Sequence, residues 1–450
     1  MLSSFTALGL SPELSQTLET LGYRSPTAIQ LDAIPKILTG SDIVAIAQTG
    51  TGKTAAYALP LIERLKHYAN TSTSPAKHPV RLVILAPTRE LAQQIEVNIS
   101  LFLQTTNLKQ VVLHGGTAIE PQLESLRRGV EIIIATVGRL NDLLQRQPSI
   151  LNKVEMIVLD EADRMLDIGF LEDIRRIFLS LPVARQTLLF SATFSKQIEQ
   201  LSGEFLKQPE RIEIAPNNST TDTIEQHFIT IENNHKQNLL LSLVARLNGA
   251  QVLVFCNTKI SVDQTSRFLS KHQLRVEGLH GDKSQNMREA ILQEFKHGSI
   301  QILICTDIAA RGLDIAGLPW VINYDLPRQA EDYVHRIGRT GRAGLKGIAI
   351  SLVEESACKE YQQILVLTQQ KLPLETVVFN QSCWRYQPAS ARPKPPTAIP
   401  LATPLAALPP SKVPRKSHLK TKKNLKQTIT CALLLPNYGL PKRSNKEQKN

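Results

Sequence analysis

Short apolar runs that do not alternate with polar residues, and that each end in a polar or glycine-rich turn, restrict this chain to a narrow set of folds. Ile43–Ile46, Arg81–Pro87, Gln110–His114, Glu131–Thr136, Met156–Asp160 and Thr187–Ser191 succeed one another with amphipathic stretches of helical length between them. Strands that are apolar on both faces and interleaved with helices build parallel sheets covered on both sides, an α/β architecture. A second series follows a gap: Gln251–Asn257, Ile302–Asp307, Val321–Asp325 and Ile348–Val353. At 450 residues and 42% apolar content the chain is long and greasy enough for two cores. The polar, turn-prone stretch Ala215–Asp222 reads as the linker between them. The expected organisation is therefore a first domain over 1–214, a linker over 215–222 and a second domain over 223–378. Beyond about Phe379 periodicity fades, and nine prolines fall between Pro388 and Pro414, so 379–450 is expected to be a Pro-rich, basic, disordered tail.

The net charge of +12 suggests nucleic acid, but its distribution qualifies the suggestion. From Arg385 onward there are 14 Lys and Arg against the single acid Glu447, a net of +13, which leaves −1 for the first 384 residues. Nucleic-acid binding by the body must therefore rest on particular residues. The five cysteines (256, 305, 358, 383, 431) have neither a paired-framework pattern nor a close zinc spacing, as in a reducing compartment without a metal–thiolate site. No signal peptide is recognisable and no apolar run approaches the ~20 residues that span a membrane, so a soluble, cytoplasmic protein without a membrane partner is expected.

Two segments about a hundred residues apart carry the chemistry. In Ala47-Gln48-Thr49-Gly50-Thr51-Gly52-Lys53-Thr54 a Gly-rich turn after a strand brings backbone N–H groups around phosphates, with Lys53 on the outer phosphates and the Thr54 hydroxyl on magnesium. Ala47 stands where the strict pattern has glycine. Asp160-Glu161-Ala162-Asp163 follows the apolar Met156–Leu159, so its carboxylates emerge at a strand end. Asp160 would hold the magnesium, largely through water, and Glu161 would position or deprotonate the attacking water. Together the segments indicate nucleotide hydrolysis. The second domain carries His335-Arg336-Ile337-Gly338-Arg339-Thr340-Gly341-Arg342, which reads either as a solvated basic turn or as arginine fingers, Arg339 and Arg342, aimed at the γ-phosphate across a cleft.

These residues resemble those of the DEAD-box ATP-dependent RNA helicases, with the bacterial RhlE-like group looking closest. The resemblance runs from about Phe5 to about Leu374 and meets the family's motifs in order: Ala47–Thr54, Pro87–Gln94, Asp160–Asp163, Ser191–Thr193, Thr306–Ile315 and His335–Gly344. Two departures are visible, Ala28 and Val137, each where the family commonly has proline. The resemblance implies two tandem RecA-like domains, with ATP and Mg2+ as cofactors. It implies an adenine-reading segment within residues 3–31 that includes Phe5, Tyr23, Thr27 and Gln30. An aromatic face and a Gln amide that can pair with the N6/N7 edge suit adenine. Asp314 is similar to the residue that meets the ribose, and Asp163, Ser191, Thr193 and His335 look like the link between hydrolysis and strand separation.

For RNA, the resemblance points to Arg89, Gly115, Gly116, Thr136, Gly138 and Arg139 in the first domain and to Gln285, Arg288, Thr306 and Arg311 in the second. Arginines, hydroxyls and glycines suit backbone contacts without base readout, and 2′-hydroxyl contacts would select RNA. Single-stranded RNA and short duplexes are the expected partners, and ribosome-assembly, ribonucleoprotein or RNA-decay machinery would suit such an activity. A DNA translocase on the same core, or an RNA chaperone acting through the tail, are the alternatives.

Overall fold

The computed structural model describes residues 5–47, 50–214, 224–232, 235–247, 249–310, 315, 317–341, 346–368, 370, 372–380 and 383–387. Seven strands form the first sheet: β1 (Ile43–Ile46), β2 (Leu82–Ala86), β3 (Gln110–Leu113), β4 (Ile132–Thr136), β5 (Met156–Leu159), β6 (Gln186–Ser191) and β7 (Glu210–Glu213). Their order is β3-β4-β2-β5-β6-β1-β7, and every pairing is parallel. Side chains of a strand point alternately to the two faces, so a strand covered on both sides must be apolar throughout. Ile43 and Ala45 of β1, with Leu82 and Ile84 of β2, join one core, and Val44, Ile46, Val83 and Leu85 join the other.

The second sheet contains β8 (Ile224–Thr230), β9 (Val252–Phe255), β10 (Val276–Leu279), β11 (Ile302–Cys305), β12 (Trp320–Asn323), β13 (Gly347–Val353), β14 (Leu374–Asn380) and β15 (Cys383–Gln387). It runs β10-β11-β9-β12-β13-β8-β14-β15, parallel except for the terminal β14–β15 hairpin. Val252 and Val254 face a core with Leu239 and Leu243, while Leu253 and Phe255 face one with Ile291 and Phe295.

Every apolar run singled out in the sequence is a strand here, within a residue or two at each end. The strands without such a run have weaker signatures. β7 is an edge with only Ile212 buried, Glu277-Gly278 interrupts β10, and β8 alternates buried with exposed positions at its start. One expectation is corrected: ordered pairing does not stop near Phe379, because β14 continues to Asn380 and β15 adds an antiparallel edge strand to Gln387. A terminal edge strand has a neighbour on one side only, so it does not need the continuous apolar run that marks a central one. The expected linker Ala215–Asp222 and everything from Pro388 onward lie outside the described residues.

Candidate active site and interdomain cleft

Functional groups gather where parallel strands end, the position at which open α/β sheets bind ligands. β1 leads into the phosphate loop, where Gly50 and Gly52 take φ of 85° and 93°, and the helix Lys53–Leu65 begins immediately after Gly52. Only glycine enters that left-handed region without strain, and its use here aims the first N–H groups of the helix at the loop's concavity. Lys53 is 7% exposed, yet its Nζ has no hydrogen-bond partner among the described residues. A buried ammonium without a partner costs several kcal/mol, at order of magnitude, so the pocket suits an anion such as a phosphate.

The base of this pocket is acidic. Asp160 is buried at the end of β5 and accepts from the Tyr57 hydroxyl at 2.9 Å through Oδ2 and from the Glu161 backbone N–H at 2.9 Å through Oδ1. Burial raises the Asp160 carboxyl above its ordinary range, and Lys53 opposes that rise. Glu161 is raised for the same reason and is likewise restrained by Lys53. Glu161 also has φ 52° and ψ 51°, a left-handed conformation held by a non-glycine residue. Such strain gathers at functional sites and here turns the chain sharply from strand into the helix Ala162–Ile168.

Asp163 joins this corner to the end of β6. Its Oδ2 accepts from the backbone N–H groups of Ala192 (3.0 Å) and Thr193 (3.2 Å) and from the Thr193 hydroxyl (3.3 Å). Ser191 donates through Oγ to the Thr193 carbonyl at 2.8 Å. Burial alone would raise the Asp163 carboxyl, but Lys53, Arg164 and the Ala192 N–H outweigh it and hold it low. From the second domain His335 reaches the same region, where burial beside Arg164 pushes its imidazole down to about 3 and keeps it neutral.

The adenine-reading candidates border the loop from the other side. Gln30 is 1% exposed; its Oε1 accepts from the Thr27 N–H at 3.0 Å and its Nε2 donates to the Gly52 carbonyl at 3.2 Å. A Cβ on Gly52 would lie 2.5 Å from Gln30 Nε2, so a larger residue there would displace the Gln30 amide as well as strain the left-handed dihedral. Phe5 is buried and packs edge-on against Tyr23, which packs in turn against Phe102. The two departures from proline share one local role. Ala28 opens the helix Ala28–Leu38 behind its Thr27 cap, and Val137 opens the helix Val137–Arg146 behind Thr136. Proline is favoured at the first helical position because its fixed φ fits and its missing N–H is not needed. Both helices form without it, Thr27 and Gln30 through a reciprocal capping box.

Of the RNA candidates, Arg89 lies against Gly115 and Gly116, and a Cβ on Gly116 would collide with the Arg89 guanidinium. Arg139 donates to the Thr117 carbonyl at 2.9 Å and to Gln122 at 3.1 Å, alongside Thr136 and Gly138 at the start of their helix. Gln285 and Arg288 are buried at the domain interface: Arg288 pairs with Glu90 of the first domain at 2.6 Å, and Gln285 donates to Glu289, which also accepts from Gln93 of the first domain. Thr306 follows β11 and donates its N–H to the Leu279 carbonyl. Arg339 lies in the turn after the helix Ala330–Ile337, its carbonyl accepting from Leu318. Gln48, Thr49, Arg311, Asp314 and Arg342 lie outside the described residues.

Several residues that matter here carry no motif label in the sequence. Tyr57 orients Asp160 from one turn along the helix that begins at Lys53, a spacing that could have pointed to it. Arg336, to which the sequence reading gave no role within His335–Arg342, is 1% exposed and braces the second domain, bidentate to Asp307 at 2.6 Å and bonded to Asn257 at 2.9 Å and to the Asp325 carbonyl at 2.6 Å. Arg164 crosses the cleft to Asp332 at 2.6 Å.

Two tandem α/β domains, with a glycine-rich loop and an acidic corner in one and His335 of the other reaching that corner, fit a nucleoside-triphosphate hydrolase with its site at the interdomain cleft. The DEAD/DEAH box helicase signature matches residues 27–201, and the helicase conserved C-terminal domain signature matches 235–344. The DEAD-box ATP-dependent RNA helicase CshA of Bacillus cereus is 39% identical over 371 residues, 82% of this chain and 69% of that one. RhpA of Helicobacter pylori is 40% identical over 377 residues, covering 84% and 74%. Among solved structures, Saccharomyces cerevisiae Dbp5 bound to RNA and ADP BeF3 is 30% identical with a TM-score of 0.71, covering 83% of this chain and 95% of that one. Mss116p bound to ssRNA and AMP-PNP is 27% identical with a TM-score of 0.74, covering 84% and 80%. The chain belongs to the DEAD-box helicase family.

Proposed function

We propose that this enzyme grips RNA without regard to sequence, separates short duplexes locally and couples each round to one ATP hydrolysed across its interdomain cleft. One observation carries the reading: the unpartnered Lys53 ammonium acts on Asp160, Glu161 and Asp163 of its own domain and on His335 of the other. A γ-phosphate bound there would be in the electrostatic reach of both domains at once. Lys53 would hold the outer phosphates, and Glu161 would orient the attacking water. Arg339, with Arg342, would stabilise charge developing on the transferred phosphoryl group, a contribution of roughly 10³–10⁵ in rate for such arginines.

Asp160 and the Thr54 hydroxyl, with Tyr57 between strand and helix, fit a magnesium ion that keeps most of its shell from water and phosphate oxygens. The ion would supply charge neutralisation on the phosphates. Phe5, Tyr23, Thr27 and Gln30 would read adenine, with the Gln30 amide exchanging its present backbone partners for the base, and Asp314 would meet the ribose. Asp163, Ser191 and Thr193 would transmit phosphate occupancy toward the RNA face, where Arg89, Gly115, Gly116, Thr136, Gly138 and Arg139 meet Gln285, Arg288, Thr306 and Arg311. Nucleotide and RNA that each bridge the domains favour one another's binding.

The motif spellings favour an RhlE-like member of the family, acting in the cytoplasm on ribosome-assembly or RNA-decay substrates. The test of the central reading is ATP hydrolysis measured with RNA and with DNA of the same sequence. Stimulation by RNA alone is the expected result, and equal stimulation by DNA would overturn the choice of substrate.

A further inference from the structure

Arg164 follows the acidic corner directly, on the helix Ala162–Ile168, and only 5% of it is exposed. Its backbone N–H donates to Asp163 Oδ1 at 3.0 Å, so it is fastened to the carboxylate that holds Ala192 and Thr193. Its guanidinium Nη1 donates to Asp167 Oδ2 of its own helix at 3.3 Å and, at the shorter 2.6 Å, across the cleft to Asp332 Oδ1. Asp332 is itself 9% exposed and sits in the first turn of the helix Ala330–Ile337, three residues before His335 and on the helix that leads into the turn carrying Arg339. Residues three apart on a helix share a face, so Asp332 and His335 approach the first domain together. Two further interdomain polar contacts among the described residues, Arg288 with Glu90 and Gln93 with Glu289, join the helices Gln285–Lys296 and Arg89–Phe102 instead.

We propose that Arg164 and Asp332 are positioning residues for ATP hydrolysis: their ion pair sets the second domain's arginine-bearing segment in register with the acidic corner when the domains meet. The inference rests on the cross-cleft reading above and names the contact that completes it. The two charges belong to different domains, so each is hydrated when the domains are apart and both are desolvated when they meet. With both present, the apposed arrangement satisfies them. With Asp332 removed, Arg164 keeps only the longer contact to Asp167 of its own domain at 3.3 Å, and with Arg164 removed Asp332 is buried without this ion pair; either loss opposes apposition, whereas removing both takes the two charges of the pair away together.

The experiment uses the full chain with fluorophores on the two domains, RNA and a non-hydrolysable ATP analogue, alongside steady-state hydrolysis. Asp332→Asn and Arg164→Met are each expected to lower RNA-stimulated kcat by roughly tenfold or more and to reduce the apposed population, while nucleotide affinity measured without RNA stays at the parent value. Asp332→Glu restores kcat, and the double variant Arg164→Met/Asp332→Leu is apposed more fully than either single variant. Single variants that close and turn over like the parent would overturn the proposal, as would a double variant impaired by the sum of the two losses. A parent chain whose hydrolysis RNA does not stimulate would instead overturn the helicase reading, and the positioning role with it.

Discussion

Replacing Tyr57 with Phe isolates a single hydroxyl at the base of the nucleotide site. The ring is fully buried and tilted against Phe190 at 5.1 Å, a contact that Phe preserves, so no cavity larger than one oxygen is made. What disappears is the 2.9 Å bond to Asp160 Oδ2, together with the hydroxyl's contact to Thr54; Oδ1 keeps the Glu161 N–H. A hydrogen bond to a buried charged group contributes about 1.5–3 kcal/mol net, so Tyr57→Phe is expected to destabilise the first domain by that amount near neutral pH. The pH dependence follows from burial, which already lifts the Asp160 carboxyl above its unfolded value, with Lys53 and the Tyr57 bond as the main restraints. A carboxyl raised in the folded state contributes stability at acid pH, below its unfolded pKa, and that contribution is lost as pH rises through the folded pKa. Tyr57→Phe raises the folded pKa further. The deficit against wild type is therefore greatest near neutrality and shrinks as pH falls and Asp160 takes its proton. Urea unfolding of both proteins across that range measures it, and the acid limb of the kcat profile should move to higher pH in the variant. An unchanged unfolding midpoint at neutral pH, or a deficit that does not vary with pH, would refute the reasoning.

Three other outcomes are expected. Glu161→Gln should leave ATP and RNA bound while phosphate release falls by roughly 10²–10⁴, the usual worth of a positioned acid–base group, and near-normal release would remove Glu161 from its role. Arg339→Ala should suppress RNA-stimulated hydrolysis by about 10³ or more with nucleotide affinity barely changed; a first domain alone that hydrolysed ATP at the full rate would defeat the cross-cleft mechanism. Removing residues 388–450, which leaves β15 intact, should flatten the salt dependence of RNA affinity because it deletes 13 of the 52 Lys and Arg. An unchanged slope would mean that the tail does not touch RNA.

The amino-acid order alone determined that there would be two parallel-sheet domains, because a strand buried on both faces has to be apolar at consecutive positions, and Ile132–Ala135 or Ile302–Cys305 can be little else. It also determined the phosphate loop and the acidic corner, since those chemistries need fixed residue types at fixed short spacing. Edge strands such as β7, β10 and β15 escaped it, because a strand with one neighbour and one exposed side has no obligatory pattern. Only the tertiary structure decided which of the arginines in His335–Arg342 is a brace: Arg336 is committed to Asp307 and Asn257, partners 29 and 79 residues away. It alone paired Arg164 with Asp332, 168 residues apart. Local motifs are legible because their parts are neighbours along the chain, whereas the choice of partner for a long charged side chain is made by whichever opposite charge the fold carries to it.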